Sequence, residues 1–223
     1  MKNTHSFTEI VALDWKESAY YDLHENESAM ALFWGDGSPF LRMFRQLDLT
    51  SVVEIGCGHG RHVPKYSDQA GQIIIVDVNK TNTDYCSKRF STWKKPLRIV
   101  QNNGSDLAAI SSTESTTVFS YDAMVHFELS DVISYLSESF RVLTPGGKAL
   151  FHHSNFDGAP GLIGHRLSEF GWRNFMNAKI FCHVAMRTGF IVLEQTVIEW
   201  GGIPNLDCIS LLQKPVGHKS NAT

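Results

Sequence analysis

The feature that most restricts how this chain can fold is the stretch Val52 to Arg61, VVEIGCGHGR. A short apolar run ends in three glycines at alternate positions, Gly56, Gly58 and Gly60. Val and Ile suit a strand, and glycine permits the sharp turn that leaves it. Without a Cβ, such a turn lets backbone N–H groups approach a bound ligand closely. The spacing is GxGxG, which differs from the GxGxxG of a dinucleotide turn and from the GxxxxGK[ST] of a phosphate loop. A second apolar run, QIIIVDV, contains Asp77, twenty-one residues after Gly56. An acidic side chain at the end of a second strand can accept hydrogen bonds from both ribose hydroxyls of an adenosine-containing ligand. Together these features point to nucleoside binding. They do not separate NAD from other adenosine cofactors.

The rest of the chain repeats the strand-then-helix rhythm. SVVEIG, QIIIVDV, LRIVQ, TTVFSYDA and KALFHHSN read as strands. Their near-continuous apolar character is that of strands buried on both faces. Between them lie helix-compatible segments at 62–71, 80–94 and Ser130 to Leu143. The alternation predicts a doubly wound α/β sheet with right-handed crossovers. A helix near Asn174 to Thr188, then GFIVLEQTVIEW and LDCISLLQK, complete it. The GGIPN link between the last two strands is too short for a crossover helix, so they should pair antiparallel. The expectation is a seven-stranded sheet in one domain of 223 residues. Residues 1–48 form an N-terminal helical cap or lid, 49–214 the α/β core, and 217–223 a frayed end.

Composition narrows the partners. Lys+Arg number 20 and Asp+Glu 23, a net charge of -3 with ten neutral histidines, and no basic stripe occurs. No nucleic-acid partner is expected. No apolar run approaches a membrane span, and the start does not read as a signal peptide. Cys57, Cys86, Cys182 and Cys208 form no CxxC pair, and a reducing cytoplasm is expected. Charged residues are only 19%, while 14 Phe, 6 Tyr and 5 Trp suggest an aromatic pocket or interface.

Against this background the sequence resembles the class I S-adenosylmethionine-dependent methyltransferases, small-molecule type. EIGCGHG looks like their first motif, IIIVDVN their second, NNGSDL their third and VFSYDAMVHFE their fourth. LTPGGKALFHH resembles their segment entering the fifth strand, and the likeness runs over roughly residues 45–213. It implies a Rossmann-like sheet of order 3-2-1-4-5-7-6 with strand 7 antiparallel, and S-adenosyl-L-methionine as cofactor. By resemblance Glu54 lies near the methionyl amino group, and Gly56, Cys57, Gly58 and Gly60 form the cofactor turn. Asp77 would hold the ribose diol and Asp106 the adenine amino group with Leu107 nearby, while Val78, Ser105 and Tyr121 are further candidate cofactor contacts. Asp106 reads equally as the N-cap of a short helix. Asn102 and Asn103 are turn residues first.

The chemistry should sit beyond the carboxyl ends of the strands. Three histidine-bearing segments converge there: YDAMVHFE with Asp122, His126 and Glu128; FHHSNFD with His152, His153, Asn155 and Asp157; and the glycine turn with His59 and His62. A hydroxyl acceptor benefits from a base near neutral pH, which imidazole provides. His126 is the first candidate base, with a structural role as the alternative. His152 and His153 are the others, and in an extended strand only one of the pair should reach the pocket. Asp122, a fifth-strand histidine and Asp157 could instead form a metal site, but without tight ligand spacing no metal is predicted. Trp15, Tyr20, Tyr21, Phe33 and Trp34 could close a lid over the ligands or fill a core. Tyr20, Tyr21, Trp34 and Asn155 are the candidate acceptor contacts. The segment 160–175 reads as an acceptor flap carrying His165, Arg166 and Arg173.

The resulting expectation is an enzyme, O-methylating a small hydroxylated molecule such as a sugar or secondary metabolite, as a monomer or homodimer. The alternatives are an N-methyltransferase of a small molecule, an NAD-dependent oxidoreductase, and a non-catalytic methyltransferase-like partner subunit. SYDAMV in place of an NPPY-type pocket weighs against nucleobase-amino methylation.

Overall fold

The structure is a computed structural model that describes residues 6–16, 18–158 and 173–217. His165 and Arg166 lie outside the described residues. The strands are β1 (Ser51–Ile55), β2 (Gln72–Asp77), β3 (Leu97–Gln101), β4 (Ser115–Ser120), β5 (Leu143–Ser154), β6 (Ile191–Trp200) and β7 (Ile203–Gln213). They form one seven-stranded sheet of order 3-2-1-4-5-7-6. The first five pair parallel, and β7 runs antiparallel to both β5 and β6. Gly201 and Gly202 alone turn β6 into β7, with φ of 58° and 79°. Two consecutive left-handed residues are the geometry of a tight hairpin.

The helices are α1 (Phe7–Trp15), α2 (Tyr20–Leu23), α3 (Glu27–Trp34), α4 (Pro39–Phe44), α5 (Val63–Tyr66), α6 (Lys80–Arg89), α7 (Leu129–Val142) and α8 (Ala178–Thr188). Their starts follow local chemistry. Ser6 and Glu9 make a reciprocal capping box on α1, Asn26 caps α3, and Ser38 with Pro39 opens α4. The last helix begins at Ala178 and not at Asn174, because the Asn177 side chain accepts from Ile180 N and sets the N-cap there. The segment after the glycine turn holds only the single helical turn α5.

Alternation along the strands sends side chains to two cores. Val53, Ile55, Ile74 and Val76 pack with Val132, Leu136 and Phe181 of α7 and α8. Val52, Ile73 and Ile75 pack with Phe33, Phe40, Met43 and Phe44 of α3 and α4. The second half of the N-terminal segment thus covers one sheet face, while α1 and α2 lie over the strand ends. Strand β5 starts earlier than KALFHHSN, since Leu143 already pairs with Ser115 before an irregularity restores register at Lys148. Among the described residues, no helix is long and apolar enough to cross a membrane.

Candidate active site

The glycine turn leaves β1 with Gly56, Gly58 and Gly60 at φ of 72°, 52° and 75°. Gly56 N and Cys57 N both donate to Val76 O, at 2.8 and 3.1 Å, which ties the turn to the end of β2. A Cβ on Gly56 would stand 2.6 Å from Ala123 Cβ, and one on Gly58 2.5 Å from the Tyr21 ring. One on Gly60 would meet Phe90 at 2.7 Å. Backbone angle and space therefore both exclude a side chain at these positions.

Asp77 faces this turn. Its Oδ2 accepts from Gly58 N at 2.8 Å. Its Oδ1 accepts from Asn79 N at 2.9 Å and Asn82 Nδ2 at 3.1 Å. Burial pushes its pKa above the ordinary carboxylate value, and these donors offset only part of that rise. Above it lies a roof from the N-terminal segment. Thr8 of α1 donates to Asp131 of α7, and Asn79 Nδ2 donates to Ala12 O at 2.9 Å. Tyr21 accepts from Asn82 Nδ2 at 3.1 Å and stacks on His59. The space between is a cleft of about 900 Å³, counting its open mouth.

At the far end stands Asp122, in the left-handed region at φ 56°. Non-glycine residues there are uncommon and cluster at functional sites. Its Oδ2 accepts from Arg61 Nη2 at 2.5 Å and from the Tyr20 hydroxyl. Burial, the charge of Asp122 and that bond raise the Tyr20 pKa. The Asp122 N–H donates to His152 Nδ1 at 3.2 Å. With Nδ1 accepting, a neutral His152 carries its proton on Nε2, which sits 3.1 Å from Asp207 Oδ2. Arg173 closes the line, its Nε and Nη2 donating to Asp207 at 2.9 and 3.0 Å. A buried polar chain thus joins β7 to the glycine turn.

An adjoining cavity of about 760 Å³, counting its open mouth, shares Trp15, Tyr20, Asp122 and His126 with the cleft. His126 sits in the short turn Met124–His126 beyond β4, its ring 4.3 Å from that of Trp15.

The cleft brings together Gly56, Cys57, Gly58, Asp77, Val78, Tyr121, His126, Tyr20 and Tyr21. Others of the expected site residues lie elsewhere. Gly60 packs against α6. Ser105 is outside the cleft wall, which Gly104 lines instead. The Asp106 carboxylate caps its own turn, accepting from Ala108 N at 3.1 Å, and Leu107 is in the core. Glu54 is buried, and its Oε2 accepts from the Tyr66 hydroxyl at 2.7 Å.

Neither fifth-strand histidine lines the cleft. His152 stands behind Asp122. His153 points to the opposite face, stacked on Phe181 at 3.7 Å and bonded to Ser210 at 2.8 Å. Burial holds its pKa down to about 3, so it is a neutral core residue. Trp34 likewise fills the α3–α4 core and donates to His62 Nδ1 at 3.0 Å. Asn155 bonds Asn205 O and Ala178 N, joining β5 to β7 and α8. Among the described residues no group of three or more His, Cys, Asp or Glu is placed to hold a metal.

Sequence reasoning passed over Arg61 and α1. Arg61 follows the glycine turn directly, and the Ser6–Glu9 spacing of the capping box marks the start of α1. Those two signals were readable.

Three observations fit an adenosine cofactor carrying an amino-acid end. Asp77 offers a buried carboxylate at the end of β2. Arg61 Nη1 is buried beside the glycine turn without a hydrogen-bond partner, and so is Glu54 Oε1. Unpaired buried polar atoms are costly, and an amino-acid moiety supplies partners of both signs.

Residues 53–151 match the family model for a methyltransferase domain. The fold is that of geranyl diphosphate C-methyltransferase from Streptomyces coelicolor, solved with Mg²⁺, geranyl diphosphate and S-adenosyl-L-homocysteine. The TM-score is 0.71 at 12% identity, covering 96% of this chain and 100% of that one. An S-adenosylmethionine-dependent methyltransferase from Mesorhizobium loti matches at TM-score 0.64 and 13% identity, over 80% of this chain and 99% of that one. A Haloferax volcanii methyltransferase, solved in complex with a methyltransferase activator, matches at 0.63 and 16%, over 96% and 100%. No curated protein sequence gives a significant match. The domain match, the strand order and the cleft at the glycine turn together give this chain a methyltransferase domain over residues 53–151, set on the class I methyltransferase fold.

Proposed function

We propose that the chain moves the methyl group of S-adenosylmethionine to a hydroxyl of a small molecule, with His126 as the general base. The observation that carries this reading is the position of His126 in the wall common to the cleft and the adjoining cavity. When bound, the cofactor supplies an electrophilic methyl on a cationic sulfur, so the protein's task is to align and deprotonate the acceptor. In this reading Asp77 takes the ribose diol, and the glycine turn gives the amino-acid end close passage. The free Nη1 of Arg61 meets its carboxylate. Tyr20 and Tyr21 close over the ligands from α2, residues 1–48 acting as the cap. His126, backed by Trp15, accepts the hydroxyl proton as the C–O bond forms.

The neighbour acting on geranyl diphosphate shows that this fold also serves carbon methylation. Hydroxyl chemistry is favoured here because a base stands between the two spaces. The test is methyl transfer from labelled cofactor to a panel of hydroxylated and amine acceptors. His126→Ala is expected to cut turnover by ~10²–10⁴ with cofactor affinity unchanged. Equal turnover in the variant across pH 6–9 would remove His126 as base. Transfer to amines alone would replace oxygen by nitrogen.

A further inference from the structure

The cavity beyond His126 constrains what the acceptor can be. Among the described residues, its charged walls are paired within the protein. Asp122 is held by Arg61 at 2.5 Å, with side-chain exposures of 2% and 8%. Arg173 is held by Asp207 at 2.9 Å, with exposures of 6% and 0%. Removing one partner from a buried ion pair is strongly unfavourable, so an anionic or cationic ligand gains little here. Neutral hydroxyls are different. A carboxylate with four lone-pair sites and a guanidinium with five N–H groups can take further hydrogen bonds without losing their partners.

Among the described residues, the walls away from Asp122, Tyr20, His126 and Arg173 are apolar. Trp200, at the end of β6, and Trp15, at the end of α1, line the same cavity beside Gly201 and Ile203 and Leu206 of β7. Trp200 is held by packing: its ring lies 5.5 Å from Phe33 at 7° and 4.6 Å from His152. A rigid indole beside paired ions matches a ring with apolar faces and a hydroxylated rim.

We infer that this cavity is an acceptor subsite for an uncharged sugar ring, its face on Trp200 and its rim hydroxyls on the Asp122, Tyr20 and Arg173 side. One rim hydroxyl then lies toward His126 and the cofactor cleft. This rests on the methyltransferase reading above and narrows it to a substrate class. The transfer balances without a further reactant: the hydroxyl oxygen gains the methyl, the sulfonium becomes the neutral thioether, and His126 takes the proton.

The test uses the full chain with labelled cofactor. Acceptors are methyl glycosides of glucose, galactose, mannose and rhamnose, glucuronic and galacturonic acids, glucose 6-phosphate, catechol and geranyl diphosphate. At least one neutral glycoside should be methylated, with kcat/KM at least tenfold above every acidic or phosphorylated compound. Trp200→Ala should raise its KM tenfold or more while kcat falls less. Ile203→Trp, which projects an indole into the cavity and obstructs the ring's seat, should abolish transfer while titration with S-adenosyl-L-homocysteine still shows binding. That titration also reports whether either variant is folded. Better transfer to an acid, a diphosphate or catechol than to any glycoside overturns the inference and leaves the methyltransferase reading standing. Glycoside transfer that survives both variants moves the acceptor out of this cavity and overturns it too. No transfer to any compound overturns both readings.

Discussion

Replacing Asp77 by Asn separates two jobs that one carboxylate performs. In the structure it accepts three hydrogen bonds, from Gly58 N at 2.8 Å, Asn79 N at 2.9 Å and Asn82 Nδ2 at 3.1 Å. Asparagine keeps one accepting oxygen and turns an NH₂ toward a donor. In its better orientation it retains the pair at Asn79 and Asn82 and opposes Gly58 N–H. The loss of one hydrogen bond to a charged group is worth about 1.5–3 kcal/mol. For a chain of this size each kcal/mol moves Tm by roughly 2–4 °C, so a fall of about 3–12 °C is expected without ligand. The ribose diol, as proposed, donates both hydroxyls to the same carboxylate. Asparagine can serve only one of them, which removes a similar energy and weakens binding by roughly 10–100-fold. Thermal melts of the free protein and calorimetric titration with S-adenosyl-L-homocysteine read the two effects separately. A lowered Tm with Kd unchanged within about twofold would make Asp77 a brace for the glycine turn and refute ribose recognition. An unchanged Tm would refute the hydrogen-bond geometry itself.

Gly58→Ala places a Cβ at φ 52° and 2.5 Å from the Tyr21 ring. A left-handed alanine alone costs about 1–2 kcal/mol, and the ring must also move. Titration should show cofactor affinity at least tenfold weaker, and unchanged affinity would mean that Tyr21 does not cover the turn. His153→Ala removes a fully buried ring and its bond to Ser210. It should destabilise by about 2–4 kcal/mol in denaturant melts and leave cofactor affinity intact. Because His153 is held neutral, with its pKa down to about 3, its stabilisation is complete above the free-histidine range near 6.5 and is lost as pH falls toward 3. His153→Phe should therefore flatten the acid limb of the Tm–pH curve. Glu54 has the opposite sign: burial pushes its pKa up to about 7. The folded state then binds the extra proton between about 4.5 and 7, and stability declines through that window as pH rises. Glu54→Gln keeps an acceptor for Tyr66 and should abolish that decline, worth on the order of 3 kcal/mol. A wild-type and variant Tm difference that stays constant from pH 5 to 8 would count against a buried, proton-binding Glu54.

Much of the fold was readable because its causes are local. The left-handed glycines after β1, the apolar β2 ending in Asp77 and the GG turn between β6 and β7 each depend on neighbours in the chain. Backbone sterics, strand burial and loop length need no distant partner. The strand order came through resemblance to a family, and the paired strands agree with it.

The walls of the site depended on long-range contacts. Alternation along β5 states only that His152 and His153 point opposite ways. Pairing with β7 sets His152 against Asp207, while His153 meets Ser210 and Phe181. Trp34 and Asn155 look like binding residues by type, but α3 packs Trp34 toward Phe40 and Phe44, and Asn155 joins β5 to β7 and α8. Asp106 spends its carboxylate on its own turn. Conversely, the ion pair of Arg61 with Asp122 spans 61 positions in sequence, and Thr8 reaches Asp131 across 123. Residue type and spacing specify the backbone turn that receives a cofactor. Which side chains surround it is settled by packing between segments that share no sequence neighbourhood, since burial and charge pairing act through space.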